Sequence, residues 1–278
     1  MQGKQSITVD TIASDKAGHW PARCDRWFKS ILILFSLAFA CPALAEQGPL
    51  EGTLVGKPNH PQVAIYIAKT QLTRDPEDER IIALKAWLDH VARHSDVAFI
   101  LRPASVERWQ AELDQTPDSC ALASARLPER EKSAYWLKPV LRDTLVIVGR
   151  QNDPFQGDLA QLLSQADGTI GAASGIYRVT LQQRGIRFIP IDDQGAIIQM
   201  VDAGRLRFGL VIGSAMQTQA GTSNVRVLGS LMDVDFWFSC SYRMAPERVE
   251  KLRQALALEG SEKLRREFLT LWARRLTN

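Results

Sequence analysis

The 278-residue chain carries 34 basic and 31 acidic side chains and is 45% hydrophobic. Its formal charge of +3 lacks the basic excess that binding to nucleic acid calls for, and its length suits one large domain or two modest lobes. The first predicted element is a leader. Arg26 and Lys29 precede an apolar run from Ile31 to Ala40, and Ala43-Leu44-Ala45 supplies an A-x-A cleavage site, the layout of a secretory signal peptide. The run breaks at Cys41-Pro42, short of the ~20 residues that span a bilayer, which disfavours an uncleaved anchor. A lipoprotein at Cys41 is the weaker alternative, because Ala38-Phe39-Ala40 lacks a leucine three before the cysteine. Removing residues 1–45 leaves 233 residues with 29 basic and 28 acidic side chains.

Residues 46–59 read as a loose Gly/Pro-containing lead-in. Val63 to Ala68 is a β-branched run that predicts a buried strand. Ile81, Leu84, Leu88 and Val91 recur at helical spacing and predict a helix over 75–95. A second strand over 96–101, a short helix over 106–113 and a third strand over 119–125 follow. Pro128 suits the first turn of a helix, where its missing N–H has no partner anyway, and Glu129 is favoured there by the helix dipole. Arg130 is not: a cation in a first turn is disfavoured by roughly 0.3–1 kcal/mol. It is therefore either a surface residue paired with Glu131 or another acid, or a ligand for an anion.

Thr144 to Val148 predicts a fourth strand. The alternation then restarts with a strand over 168–172, a helix from Ser174-Gly175 towards Gln183, a strand over 187–191 and a helix over 196–203 that stops at Gly204. Further strands are predicted over 206–212, 225–231 and 235–241, and the last 35 residues alternate apolar and charged positions in a helical pattern. This grammar predicts an α/β layer with a largely parallel sheet. Outside the leader only Cys120 and Cys240 remain; they either form one disulfide or stay as separate buried thiols.

Ala121 to Val148 resembles the periplasmic solute-binding proteins of family 3, the receptors of polar amino-acid transporters. The resemblance rests on Leu127-Pro128-Glu129-Arg130, on Tyr135-Trp136-Leu137-Lys138-Pro139 and on the strand over 144–148. It continues through Gly171-Ala-Ala-Ser-Gly175, Asp202-Ala-Gly-Arg205 and Phe238 to Arg243. It implies an α/β, two-lobe periplasmic binding protein-like (type II) fold, with lobe 1 from 60–143 plus 243–278, lobe 2 from 148–238, and hinge strands near 144–148 and 236–241. It also implies a periplasmic location and brings Cys120 and Cys240 into neighbouring parts of lobe 1 and the hinge, which favours their disulfide.

By the same resemblance Arg130 grips a ligand carboxylate with its planar fork. Ser124, Ser174, Gly175, Ile176 and Tyr177 are the accompanying ligand-binding candidates, with Tyr66 and Trp136 as aromatic walls beside Trp237; each is equally readable as an ordinary turn or core residue. The departures are informative. Leu127 replaces a threonine, Ala123 and Ala125 flank a lone Ser124, and the strand Arg207 to Gly213 lacks the acid that would pair with an α-amino group. An anionic or weakly polar small solute is therefore expected in place of an ordinary amino acid, and a cleft that has lost its ligand is the rival reading.

Catalysis is not expected. Gly171 to Gly175 has one residue too many for a nucleophile elbow, and Glu129, Arg130 and Glu131 are adjacent and do not face one another. His90 and His94 lie four apart at a helix end but lack companions for a metal site, and the helix dipole explains them without a metal. Neither a cofactor nor a metal is expected. The expected partners are a small-molecule ligand and either an ABC permease or a membrane sensor, the chain itself acting as a monomer. The competing assignment is a non-catalytic interaction or sensory module with a degenerate cleft.

Overall fold

The computed structural model describes residues 50–68, 75, 77–191, 194–217 and 223–274; the predicted leader, residues 1–45, lies outside them. The chain runs β1 (Leu54–Gly56), β2 (Gln62–Ala68), α1 (Glu79–Ser95), β3 (Ala98–Ala104), α2 (Val106–Gln115), β4 (Ser119–Ala125) and β5 (Ala134–Arg150). It continues α3 (Leu159–Ala166), β6 (Ile170–Ala172), α4 (Ile176–Gln183), β7 (Phe188–Pro190), α5 (Gln194–Asp202), β8 (Phe208–Ile212) and α6 (Gly213–Gln217). Strand β9 (Val225–Ser241) and helices α7 (Pro246–Ala257) and α8 (Glu259–Arg274) complete it.

The strands form one hydrogen-bonded sheet in the order β1-β3-β2-β4-β9-β5-β8-β6-β7. It is mixed, which corrects the expectation of a largely parallel sheet. Pairs β2–β3, β2–β4, β6–β7 and β6–β8 are parallel, as strand–helix–strand crossovers require. Its spine is antiparallel: β5 and β9 pair from Ala134↔Ser241 to Arg150↔Val225. The two strands predicted over 225–231 and 235–241 are thus one, and the strand predicted over 144–148 lies in the C-terminal half of β5.

Two separate cores flank this spine. Trp87, Phe99, Phe238, Leu252 and Phe268 belong to one, and Leu162, Leu181, Ile197, Phe208 and Leu210 to the other. Two closed cores on one sheet make the two lobes. The C-terminal helices complete the first core: Trp87 donates from Nε1 to Ser261 Oγ at 3.0 Å and stacks on Phe268 with ring centroids 6.0 Å apart.

Local signals account for the differences at element ends. Helix α1 begins at Glu79 because the Asp78 side chain caps it, accepting from the Arg80 N–H at 2.9 Å. The lead-in contributes an edge strand, β1, antiparallel to β3. Helix α3, absent from the sequence reading, carries a capping box in which Asp158 accepts from the Gln161 N–H and Gln161 from the Asp158 N–H. Pro128 opens only one 3₁₀ turn, Pro128–Arg130. Arg130 ends that turn, so the helix-dipole penalty assigned to it does not apply.

The His90 and His94 rings lie with centroids 4.2 Å apart, tilted by 34°, and His90 Nε2 is buried without a partner among the described residues. Burial pushes the His90 pKa below its ordinary 6.5, His94 and Arg93 push the same way, and Asp89 opposes them. The folded state therefore favours neutral His90, whereas below pH 6.5 the unfolded chain gains a proton the folded chain resists. Stability from this site is full above that value and falls as the pH drops towards the lower folded pKa. Melting curves from pH 7.5 to 5 are expected to show a decline that His90→Gln lessens; parallel declines in the two proteins would refute the assignment.

Candidate functional site

Strands β2, β3, β4 and β6 end near the seam between the lobes, the place where parallel α/β layers present ligand sites. A cavity of about 260 Å³ lies there. Its first wall is the start of α2 (Ser105, Val106, Trp109, Gln110) with Leu122, Ala123 and Ala125 of β4 and Arg130. Its second wall is Ala173, Ser174, Ile176, Tyr177 and Gln194, and Phe236 of β9 lines the cavity as well. Among the described residues lining it, Arg130 is the one charged group.

Strand β4 reaches this cavity through an irregularity. Its register against β9 shifts between Ala121 and Ser124, and Ala123 has a φ of 57°, a left-handed conformation that a residue with a Cβ adopts at a cost. Ala123 and Ala125 line the cavity, whereas Ser124 is not among the lining residues: it is buried, its hydroxyl without a partner among the described residues.

Arg130 is half-buried. Its guanidinium makes one hydrogen bond among the described residues, donating from Nη1 to the Ala125 carbonyl at 3.3 Å. It lies 5.2 Å from the Trp109 ring centroid and 5.8 Å from that of Trp136, within the range of a cation–aromatic attraction. The acids beside it in sequence are engaged elsewhere. Glu131 forms a two-pronged pair with Arg126, and Glu129 accepts from Gln183 Nε2 at 3.1 Å across the seam. The surface pairing of Arg130 with Glu131, open from the sequence, is therefore taken by Arg126. Burial lowers the Arg130 pKa, with Asp114 and Glu129 acting in the opposite sense. It remains a cation, since an arginine has no accessible neutral form.

Of the other sequence candidates, Ser174, Ile176 and Tyr177 line the cavity. The Gln194 amide oxygen accepts from the Ile212 N–H at 3.0 Å, which leaves its NH₂ to donate to the Tyr177 hydroxyl. Burial first, and then Asp143, raise the Tyr177 pKa, so it stays a neutral phenol. Gly175 caps α4 with a φ of 79° and meets the other lobe: a Cβ there would lie 2.8 Å from Val106 Cγ1. Tyr66 is not among the lining residues; it packs in a small core with Trp109 and Leu113, its hydroxyl bonded to Glu112. Trp136 flanks Arg130 from outside, donating from Nε1 to the Glu131 carbonyl at 3.1 Å. Trp109, Gln194 and Phe236 were missed from the sequence. Trp109 had a usable signal, as it sits one turn into a helix that follows the end of a predicted strand.

Cys120 and Cys240 are register partners on β4 and β9 and are disulfide-bonded. Among the described residues no group of three or more His, Cys, Asp or Glu side chains is placed to hold a metal ion, and no helix is long and apolar enough to cross a membrane.

No family model and no curated protein matches the chain. Solved structures do. A histidine kinase sensor domain with similarity to periplasmic binding proteins superimposes with a TM-score of 0.64 at 11% identity, over 78% of this chain and 97% of that one. The GluR0 ligand-binding core from Nostoc punctiforme, in complex with L-glutamate, gives 0.61 at 14% identity over 76% and 98% of the two chains. The arginine-bound form of truncated ArgBP from T. maritima gives 0.56 at 14% identity over 70% and 94%. At such identities the likeness is one of fold, and it agrees with the two cores, the shared antiparallel spine and the cavity at the seam: the chain has the two-lobe α/β fold of type II periplasmic binding protein-like domains.

Proposed function

We propose that the chain is an exported, periplasmic binding protein that loses residues 1–45 and closes two lobes, 60–143 with 243–278 and 148–238, on a small anionic solute. The observation that carries this reading is Arg130, a half-buried cation at the seam that forms no ion pair among the described residues. A desolvated cation held ready in a cavity suits a ligand that brings the missing negative charge. It would deliver the solute, or report it, to a membrane partner: an ABC permease or a sensor. The kinase sensor domain among the structural neighbours supports the sensor arm, and the arginine-bound neighbour supports capture of a small solute.

Contacts across the seam supply the test. Arg178 Nη1 approaches Glu107 Oε1 at 3.9 Å and Gln183 reaches Glu129, while Gly175 abuts Val106. Gly175→Ala is expected to weaken solute binding roughly 10- to 100-fold, because its methyl strains a φ of 79° and prises the lobes apart at 2.8 Å. Gly185→Ala is the control: its φ of 69° is also strained, but nothing lies within 4 Å, so only stability should fall. Titration of a small-anion library followed by Trp109 fluorescence and solution scattering measures both. A library that changes neither emission nor compaction would overturn the binding-protein reading in favour of an interaction module.

A further inference from the structure

The cavity's charge and its walls say more about the occupant than that it is an anion. Building on the binding-protein reading, we infer that the ligand is a small monocarboxylate with an apolar body and no amino group, such as an aryl- or alkyl-substituted acid. Three observations converge on this.

First, the positive features lie on the cavity wall itself, whereas the acids that act on Arg130, Asp114 and Glu129, are not among the lining residues. Arg130 is joined by the starts of α2 and α4, and the start of α4 has no side-chain cap. Helix starts carry a partial positive charge. Of the acids nearby, Glu107 and Glu129 face Arg178 and Gln183, and Asp143, in the adjoining cavity beyond Tyr177, accepts from the Thr144 and Ser214 N–H groups. Among the described residues no carboxylate lines the cavity. An ammonium group entering there would meet like charge and lose its water with no counter-ion, a penalty that weakens binding by orders of magnitude.

Second, the surface beyond Arg130 is hydrophobic. Val106, Trp109, Leu122, Ile176 and Phe236 offer aliphatic and aromatic faces. Gln110, Gln194, Ser105, Ser174 and Tyr177 are the neutral polar exceptions. Gln194 is already committed to Ile212 and Tyr177. A sugar or a polar amino-acid side chain would leave its own groups unpaired against such walls, whereas an alkyl or phenyl body gains by burial.

Third, the guanidinium is fixed by its two indole neighbours and one carbonyl, so its fork is oriented before a ligand arrives. An oriented fork matches a single carboxylate; a second carboxylate on the ligand would lie against the apolar walls unpaired.

Matched pairs of solutes test this. Calorimetric titration of the purified full chain would compare phenylacetate with phenylglycine, 3-phenylpropionate with phenylalanine, and hexanoate with norleucine, each pair differing by one ammonium. At least one acid is expected to bind, its amino counterpart about a hundredfold more weakly or worse, and its primary amide, which lacks the charge, weakly as well. Arg130→Met should remove the preference for acid over amide while leaving the fold intact by circular dichroism. An amino acid that binds as tightly as its acid would overturn the inference and leave the binding-protein reading standing. The inference also falls, with that reading intact, if every acid is silent while another anion in the library closes the lobes. If neither the pairs nor the library produces closure, both readings fall together.

Discussion

Replacing Arg130 with methionine is expected to weaken binding of an acidic solute severely while leaving thermal stability unchanged or slightly raised. The expectation follows from what the guanidinium touches. A structural arginine would hold a carboxylate, and its loss would strand that charge at a cost of about 3–5 kcal/mol. Arg130 holds one backbone carbonyl and the faces of Trp109 and Trp136, so methionine keeps most of the apolar contact and removes a partly desolvated cation. The fold therefore loses little. The ligand loses a charge-assisted, two-pronged partner, for which about 2–5 kcal/mol, or some 30- to 4000-fold in affinity, is the usual penalty. Arg130→Lys should fall between, because an ammonium keeps the charge without the planar fork. Calorimetry and melting curves on the three proteins decide the matter. A methionine variant that melts several degrees lower and binds as before would make Arg130 a brace and remove the reading built on it.

Legibility in the sequence varied with the physical origin of each feature. Elements set by local periodicity came through: the apolar spacing of Ile81, Leu84, Leu88 and Val91, and the short run over 119–125, which matches β4 at both ends. The long spine did not. Strand β9 is predicted as two pieces separated at 232–234, yet Val234 is 3% exposed and Asp233 and Asp235 on either side of it face outward to Arg142 of β5. That is the period-two alternation of a half-exposed strand, legible in principle. Strand β5 is hidden by Pro139, which a central strand tolerates only at an irregularity; the register against β9 shifts between Pro139 and Leu141. Such a shift depends on the partner strand, so no local pattern announces it.

The site divides in the same way. Arg130 stands out through the order of weak motifs, but the reason the sequence offers for its position, a cation misplaced in a helix start, has no basis in the structure. What marks it is burial without an ion partner, a property of tertiary packing. Ser124 and Tyr66 are sensible candidates by residue type. Ser124, at the register shift of β4, is buried outside the cavity lining, and Tyr66 packs into a small core with Trp109, which does line it. Phe236 lies one residue beyond the start of the strand predicted over 235–241, and its role becomes visible only once β4 and β9 are paired.

Removing the disulfide should have the largest effect on stability. Cys120 and Cys240 are 120 residues apart in sequence, and both are fully buried. Closing a loop of that length restricts the unfolded chain by about 4–5 kcal/mol in the chain-entropy account, and native disulfides in practice contribute roughly 2–5 kcal/mol. For a domain of this size about 1 kcal/mol moves the melting temperature by about 2–4 °C, so the Cys120→Ala/Cys240→Ala protein is expected to melt about 10 °C lower. The bond also joins β4 to β9 one residue before the register shift that shapes the cavity wall. Its loss should therefore weaken solute binding as well as the fold, whereas a disulfide serving stability alone would leave affinity unchanged. Because both sulfur atoms are shielded from solvent, a reductant added to the folded protein should act only as fast as the first lobe opens. Thiol labelling over time, with and without a few molar urea, distinguishes this from direct attack: prompt labelling of the folded protein in buffer would show that the bond is accessible and that β4 and β9 part readily at that point.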